Sequence, residues 1–304
     1  MKISGSVVAL ITPMHDDRVD VDALQGLVKW HSVNCSDAIV VVGSTGEGAL
    51  LSEDERKEAI SAVVETSKLC ERRLPIIAGC GTISTRNTIE MVQNAEQCGV
   101  DVAMVVSPCY VKPSQEGVFQ HFKTIIDNTS IPIIIYNHPT RTGINLQNET
   151  IVRLCSEFHR IIAIKDSSSD LSKIAYLRSQ LPDTVSLLSG DDAINIGFLA
   201  QGGNGIISVT ANIFPRLCKR FMSAWQNNNV GEAFEIHQTL MPVHLSMYCE
   251  PNPGPVVYAT SKFRGFYNEV RLPLLEVREN SLSAKIIDEA IDSVCNSSFL
   301  KIVE

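Results

Sequence analysis

Eight short apolar runs alternate with segments of helical period along this 304-residue chain, and few architectures accommodate that repeat. Each run is rich in β-branched residues and apolar on both faces, as in a strand of a parallel sheet covered by helices. Between the runs, apolar residues recur three and four positions apart, as at Phe119, Phe122 and Ile126, which indicates amphipathic helices. The runs begin at residues 6, 38, 75, 102, 132, 161, 185 and 205.

The spacing of the runs predicts a closed α/β barrel. Val7 and Gly205 lie 198 positions apart, which is seven repeats of about 28 residues, enough for a strand, a helix and two loops. We therefore predict a (β/α)8 TIM barrel over residues 1–228. An open doubly wound sheet is the competing architecture, but no GxGxxG turn follows the first run.

The last quarter of the chain departs from the repeat, and we predict a C-terminal helical extension over residues 229–304. Segments 231–248 and 281–293 have helical patterns, and the sequence PNPGP at 251–255 breaks the chain between them. We expect the extension to cover one flank of the barrel or to build an oligomer contact. Within the barrel, the clearest helix start is a capping box from Ser52 to Glu55.

The charge pattern excludes several classes of partner. Counts of 34 acidic and 26 basic residues give a net charge of −8 without a block of Lys or Arg, so no nucleic acid partner is expected. The uncharged stretch from Ala193 to Pro215 contains polar residues and glycines at 201–205, which would expose backbone to lipid, so no membrane span is expected. The first residues show no secretory signal, which predicts a cytoplasmic protein.

Cysteine and histidine spacing indicates neither a metal site nor a bound cofactor. The nine cysteines include no CxxC pair, and the seven histidines include no HxxxH-type set. We predict reduced, mostly buried thiols and no metal.

Polar residues at the carboxyl ends of the predicted strands are the candidates for chemistry. Alone among the lysines, Lys165 ends a four-residue apolar run, so its ammonium must enter the barrel mouth or pair with a carboxylate such as that of Asp166. Burial disfavours the charged form, and a free amine can attack a ketone to give a Schiff base. The resulting iminium withdraws electrons, so a neighbouring methyl group can lose a proton.

That reaction needs a proton carrier, and Tyr136 ends the adjacent run. A phenol relays protons only within a hydrogen-bonded chain, which the hydroxyls of Ser44 and Tyr110 would complete. A packing role is the alternative for Tyr136.

Two features indicate an anionic substrate. The turn Gly43–Gly46 permits exposed amides and hydroxyls, including those of Thr45, to face an anion. Arg141 follows shortly after a proline at the barrel mouth, and its planar fork is suited to a carboxylate. A surface ion pair is the alternative role for this arginine.

Taken together, these residues and their motifs resemble the dihydrodipicolinate synthase family, the class I aldolases that include N-acetylneuraminate lyase, over nearly the whole chain. The segment YNxPxRTG is similar to the synthases rather than to the sialic acid lyases, so Arg141 decides the branch. The motifs are GSTGEG from Gly43, SPCYVKPSQEG from Ser107, YNHPTRTG from Tyr136, IAIKD from Ile162, LLSGDD from Leu187 and GIISVTAN from Gly205.

The resemblance implies a condensation of pyruvate with aspartate 4-semialdehyde to 4-hydroxy-tetrahydrodipicolinate, on the route to diaminopimelate and lysine. It implies a homotetramer made of two tight dimers, with Tyr110 reaching across the dimer interface. The implied roles are imine formation for Lys165, proton relay for Tyr136, Ser44 and Tyr110, pyruvate carboxylate binding for Thr45, semialdehyde carboxylate binding for Arg141, and pocket lining for the backbone of Gly190 and Ile207.

The chain departs from the family pattern at several positions. Ser44 replaces the usual Thr, which keeps the hydroxyl but loosens its rotamer. Val257 replaces the lysine of the NPxPVK segment, with no consequence that the sequence assigns. The resemblance places the allosteric lysine pocket of sensitive relatives at positions whose polar residues are replaced here, so we expect weak or absent lysine inhibition. Those positions are Gly48, Glu53, Arg56, Ile83, Asn87 and Cys109.

Two other functions remain compatible with the residues. Another aldolase of this family, acting on a 2-keto-3-deoxy sugar acid or a 4-hydroxy-2-oxo acid, would use Lys165 and Tyr136 equally well. A binding or sensing barrel without turnover, or one that grips phosphate through the turn Gly202–Gly205, would need no positioned lysine.

Overall fold

A computed structural model describes residues 1–299 and shows a closed barrel of eight parallel strands. Each strand pairs with its neighbours in chain order, and the first strand closes the barrel by pairing with the last, Gly5 opposite Gly205. The predicted (β/α)8 TIM barrel is therefore confirmed. The strands are Gly5–Ala9, Ala38–Val41, Ile76–Cys80, Val102–Val106, Ile133–Asn137, Ile161–Asp166, Ser186–Ser189 and Gly205–Ser208.

A helix follows each strand and packs outside the barrel. The predicted capping box is confirmed, because the Ser52 amide donates to Glu55 Oε2 at 2.8 Å and the Glu55 amide donates to Ser52 Oγ at 3.3 Å. A single helical turn, Pro139–Thr142, precedes the helix after the fifth strand. The eight outer helices are Val21–Val33, Glu53–Leu69, Thr85–Gln97, Gln115–Asp127, Asn148–Glu157, Leu171–Gln180, Asn195–Ala200 and Pro215–Gln226.

The apolar side chains form two cores on opposite sides of the barrel wall. The larger core fills the space between strands and helices, and the smaller core fills the barrel interior. Strands that are apolar on both faces produce this arrangement, because alternate side chains point inward and outward. The inner core includes Val7, Val40, Ile77, Met104, Ile134, Ala163, Leu188 and Ile207.

The extension contains three described helices rather than the two that the sequence predicts: Val230–Ser246, Gly254–Arg264 and Leu282–Cys295. The middle helix was missed because PNPGP predicts a break. The break is present, with a cis bond between Asn252 and Pro253, but a helix begins directly after it. Pro255 lies in the first turn of that helix, where a missing amide is tolerated.

The extension packs on the barrel through the larger core. Val257 is fully buried on the helix Gly254–Arg264 and belongs to the same cluster as the outer faces of the strands. An apolar residue therefore suits this position, for which the sequence assigned no consequence. The division into two domains at residue 229 stays a prediction.

The sequence prediction for the cysteines is only partly right. No disulfide joins the nine cysteines, all of which lie within residues 1–299. The prediction that most are buried is wrong, since Cys80, Cys155 and Cys218 are buried but Cys35, Cys249 and Cys295 are exposed in loops or at a helix end. Within those residues, no helix has the length and apolar character that crossing a membrane requires.

Candidate active site

Lys165 and Tyr136 lie side by side at the carboxyl end of the barrel interior. The fifth and sixth strands pair with Tyr136 opposite Lys165, and strand alternation turns both side chains inward, above Ile134 and Ala163. The Lys165 ammonium nitrogen lies 4.2 Å from the centroid of the Tyr136 ring. Both side chains are buried, with 7% and 5% of their surfaces exposed. The amine is therefore held over an aromatic face inside the barrel.

Asp166, the next residue along the strand, faces the opposite way. Its Oδ2 accepts a hydrogen bond from Asn137 Nδ2 at 2.8 Å, and its Oδ1 accepts one from the Ser168 amide at 2.8 Å. Other donors therefore occupy this carboxylate. The alternative in which Lys165 pairs with Asp166 is wrong, because the strand places the two side chains on opposite faces.

A small cavity surrounds the amine, and seven of the eight site residues predicted from the sequence line it. Among the described residues in its wall, the charged side chains are those of Lys165 and Arg141, both cationic, and no carboxylate is present. Such a cavity favours small anions. The seven residues are Ser44, Thr45, Tyr136, Arg141, Lys165, Gly190 and Ile207.

Gly190 leaves room for the lysine side chain. A Cβ atom at this position would lie 2.1 Å from Ser167 Oγ and 2.8 Å from Lys165 Cε, so any side chain would displace one of them. The Gly190 amide donates to the Asp166 carbonyl at 2.9 Å, which fixes the loop against the sixth strand. Glycine is thus required at position 190 because neighbouring side chains approach its Cα closely, and not because of its backbone angles.

The polar side of the cavity comes from the turn after the second strand. Asn252, from the extension, donates through Nδ2 to Thr45 Oγ1 at 3.2 Å. The hydroxyls of Ser44 and Tyr136 border the same cavity, but no direct hydrogen bond joins them in the described part of the chain. A proton relay between the two would need a bridging water or a substrate atom.

Tyr110 is not brought together with the other predicted site residues. It lies in the loop after the fourth strand, with 87% of its surface exposed and a φ of 66°. A tyrosine in this left-handed region is strained, since only glycine adopts it without steric cost. Within one chain, Tyr110 does not line the cavity that holds Lys165.

Sequence reasoning missed three polar residues of the cavity wall: His138, Tyr248 and Asn252. His138 had a usable signal, because it lies inside the motif that begins at Tyr136. Asn252 had one as well, because it begins the segment that matches NPxPVK, whereas Tyr248 had none, since only the packing of the extension brings it to the barrel mouth.

His138 is held beside the cations of the cavity. Its Nδ1 lies 3.0 Å from Thr140 Oγ1, and its ring centroid lies 5.6 Å from that of Tyr136. Burial and the nearby charges of Arg141 and Lys165 lower the pKa of its imidazole to about 4. The ring is therefore neutral at neutral pH.

The glycine-rich turn at Gly202–Gly205 lies at the other end of the barrel, where the eighth strand begins. A Cβ on Gly203 would lie 2.5 Å from the Phe198 ring, and one on Gly205 would lie 2.7 Å from the Gly5 amide nitrogen. Close packing explains these glycines, and the phosphate-binding alternative has no support.

A buried lysine at the carboxyl end of a (β/α)8 barrel, in a cavity with cationic side chains, defines a lyase of the class I aldolase type. The model of the dihydrodipicolinate synthetase family matches residues 2–288. The chain belongs to this family.

Individual relatives agree with that assignment. The chain is 41% identical over 278 residues to the 4-hydroxy-tetrahydrodipicolinate synthase of Bradyrhizobium diazoefficiens, covering 91% of this chain and 93% of that one. It resembles the solved structure of the same enzyme from Methylacidiphilum fumariolicum SolV with a TM-score of 0.93 and 35% identity, covering 97% and 96% of the two chains. A pyruvate complex of chloride-inhibited dihydrodipicolinate synthase from Acinetobacter baumannii gives a TM-score of 0.92 and 36% identity, covering 97% and 99%.

Proposed function

We propose that this chain condenses pyruvate with aspartate 4-semialdehyde to 4-hydroxy-tetrahydrodipicolinate, in the biosynthesis of diaminopimelate and lysine. The observation that carries the proposal is the buried Lys165 amine beside Tyr136, in a cavity that also holds Arg141. Both substrates carry a carboxylate, which suits a cavity whose charged side chains are cationic. The names of the relatives support the same activity.

In the first step, Lys165 attacks the ketone carbon of pyruvate. The bond from Nζ to this carbon forms, the carbon–oxygen bond breaks, and the oxygen leaves as water after taking up two protons. The amide and hydroxyl of Thr45 hold the pyruvate carboxylate, with the hydroxyl oriented by Asn252. The backbone of Gly190 and the carbonyl of Ile207 line the pocket around the new imine.

In the second step, the imine loses a proton from the pyruvate methyl group and becomes an enamine. Tyr136 carries this proton through the hydroxyls of Ser44 and of Tyr110 from a second copy of the chain. The enamine carbon then bonds to the aldehyde carbon, whose oxygen takes a proton. The amino group of the second substrate, once its ammonium form has lost a proton, attacks the imine carbon and closes the ring. The bond from this carbon to Nζ then breaks, and the Lys165 amine leaves with a proton from the attacking nitrogen.

Arg141 holds the carboxylate of the semialdehyde. It lies in the cavity wall on the turn Pro139–Thr142, and its guanidinium can donate two parallel hydrogen bonds to one carboxylate.

Reduction with borohydride in the presence of pyruvate tests this function. We expect irreversible addition of one pyruvate-derived group, mapped to Lys165 by peptide mass spectrometry, and turnover of aspartate 4-semialdehyde in a coupled assay. Lys165→Ala should remain folded and lose nearly all activity. Lys173 is an internal control, because it is equally buried but its Nζ donates to Asn145 Oδ1 at 3.0 Å.

Labelling at Lys173 or at no lysine would overturn the mechanism. Turnover of 2-keto-3-deoxy sugar acids in place of the semialdehyde would overturn the substrate assignment.

We also propose a homotetramer, a dimer of dimers that works in the cytoplasm. Tyr110 supports an oligomer, since its side chain is exposed and does not line the cavity of its own chain. Sedimentation velocity and cell fractionation test these two points.

A further inference from the structure

His138 and Arg141 form one side of the cavity on the same short turn. His138 is the residue before the helical turn Pro139–Thr142, and its carbonyl accepts hydrogen bonds from the Arg141 amide at 3.1 Å and the Thr142 amide at 3.0 Å. Both side chains line the cavity that holds Lys165. The two side chains are therefore placed to meet neighbouring groups of one ligand.

The His138 ring is fixed in orientation. Its contact with Thr140 Oγ1 engages Nδ1, and the Tyr136 ring packs at one side. When Nδ1 carries the proton and donates it to the Thr140 hydroxyl, Nε2 has a free lone pair. Nε2 is then the imidazole atom that can accept a hydrogen bond from a ligand.

The charges around His138 decide what it can bind. The groups that face it in the cavity are the cations of Lys165 and Arg141 and the phenols of Tyr136 and Tyr248. Burial first, and then the two cations, lower the pKa of the imidazole to about 4 and keep it neutral. The described residues of this wall include no carboxylate that could pair with a third cation, carried by a ligand. A neutral acceptor must therefore bind such a cation.

We propose that His138 determines specificity for the second substrate by accepting a hydrogen bond from its ammonium group through Nε2, while Arg141 holds the carboxylate on the same carbon. The ligand class is an α-amino carboxylate that carries an aldehyde. This inference rests on the proposed function and adds the recognition of the amino group.

Two ligands separate this role from a general effect on the cavity. Succinate semialdehyde matches aspartate 4-semialdehyde in its carboxylate and aldehyde but lacks the amino group. We would measure the KM for aspartate 4-semialdehyde, the KM for pyruvate, and the inhibition constant of succinate semialdehyde in wild type, His138→Leu and His138→Gln.

His138→Leu should raise the KM for aspartate 4-semialdehyde about tenfold to a hundredfold, the range for a lost hydrogen bond to a charged group. The KM for pyruvate and the inhibition constant of succinate semialdehyde should change less than about twofold, since neither ligand has an ammonium to lose its acceptor. His138→Gln keeps an acceptor and should recover part of the loss.

His121→Gln is the matched control. Its ring is also held by a threonine, with Nδ1 at 2.9 Å from Thr85 Oγ1, but it lies on an outer helix away from the cavity. It should leave all three constants at wild-type values.

An unchanged KM for aspartate 4-semialdehyde in His138→Leu would overturn the inference. Equal weakening of both aldehydes would also overturn it, because His138 would then only shape the cavity. In either case, wild-type turnover and pyruvate trapping at Lys165 would leave the proposed function standing, whereas their failure would overturn both.

Discussion

Lys165 and Asp166 are neighbours in the chain with separate tasks. The sixth strand turns the lysine into the barrel and the carboxylate toward Asn137 and Ser168 outside it. The reacting amine is therefore kept away from the nearest negative charge. A lysine that lacks a permanent ion pair is available to a ketone, which is what the proposed imine requires.

Arg141→Ala should raise the KM for aspartate 4-semialdehyde and leave the KM for pyruvate nearly unchanged. The loss should be about 1.5 to 3 kcal/mol of binding free energy, the range for hydrogen bonds to charged groups. Succinate semialdehyde should weaken by a similar factor, since it has the same carboxylate.

Steady-state kinetics with both substrates measure these effects, and Arg141→Lys is the control that keeps the charge but not the planar fork. A rise in the pyruvate KM alone would mean that Arg141 holds the other carboxylate.

Glu47, in the turn after the second strand, should make stability depend on pH. Its side chain is 2% exposed, its Oε2 accepts a hydrogen bond from the Arg271 amide at 2.9 Å, and burial raises its pKa from 4.5 to about 7. A carboxyl whose pKa rises on folding stabilises the protein fully below its unfolded pKa. That contribution is lost as pH increases toward 7.

Glu47→Gln replaces this carboxyl with an amide that cannot ionise. The change in Tm, variant minus wild type, should be more positive at pH 8 than at pH 5, by on the order of 2 °C. Thermal unfolding at the two pH values measures the difference. An equal change at both would show that folding does not raise the pKa of Glu47.

At the scale of the element, the period of the hydrophobic pattern identified every barrel strand, but not in every case the residue at which the strand ends. The prediction for the sixth strand matches Ile161–Asp166, whereas the first strand ends at Ala9 although apolar residues continue to Ile11. Leu10 and Ile11 are buried in the loop at the barrel mouth, so burial there does not require strand pairing. The local hydrophobic pattern indicates which residues are buried, whereas hydrogen-bonded pairing with the neighbouring strands decides where a strand ends.

The same limit applies to the candidate site. Lys165 and Tyr136 were found because each is a polar residue at the end of an apolar run, and Arg141 because it follows a proline shortly after such a run. Tyr248 and Asn252 reach the cavity from the extension, and no spacing in the sequence records that contact.

Gly190→Ala should impair the step at Lys165 more than it impairs folding. The added Cβ would lie 2.1 Å from Ser167 Oγ and 2.8 Å from Lys165 Cε, so we expect the lysine side chain to shift together with the serine. We expect the rate of pyruvate imine formation to fall about tenfold or more, the scale of a misplaced reacting group.

Single-turnover borohydride trapping measures that rate. Gly26→Ala is the control, because a Cβ there meets nothing within 4 Å and alanine favours the helix Val21–Val33. Normal trapping in Gly190→Ala would show that the loop yields instead of the lysine.

At the scale of the whole molecule, the exposed Tyr110 links catalysis to assembly. Tyr110→Phe and Lys165→Ala homo-oligomers should each be nearly inactive. If the phenol acts in a neighbouring chain, each mixed dimer contains one site with both wild-type residues. A random mixture, in which half of the dimers are hybrids, should then regain up to about a quarter of the wild-type activity.

Native mass spectrometry should confirm that hybrids form before activity is measured. Full hybrid formation without recovered activity would place Tyr110 in the site of its own chain.

Lysine should inhibit this protein weakly, with half-inhibition above about a millimolar. The reason is that the cavity at the positions of the allosteric lysine pocket contains a cation of its own. Arg56 is buried there and donates to the Gly48 carbonyl at 2.7 Å and the Gly79 carbonyl at 2.6 Å. Glu53 in the same wall accepts hydrogen bonds at Oε1 from Lys57 at 2.6 Å and Asn94 at 2.9 Å, so a neighbouring cation already compensates its charge. Lysine titration in the coupled assay decides the point, and half-inhibition in the micromolar range would contradict it.

The two cationic side chains differ in burial, and this difference bears on the order in which the two substrates bind. Lys165 is buried at the bottom of the cavity, whereas Arg141 is exposed near its mouth. If Arg141 binds the semialdehyde as proposed, a molecule held there would lie between solvent and Lys165. We therefore expect pyruvate to bind before the semialdehyde, and an excess of semialdehyde to slow turnover.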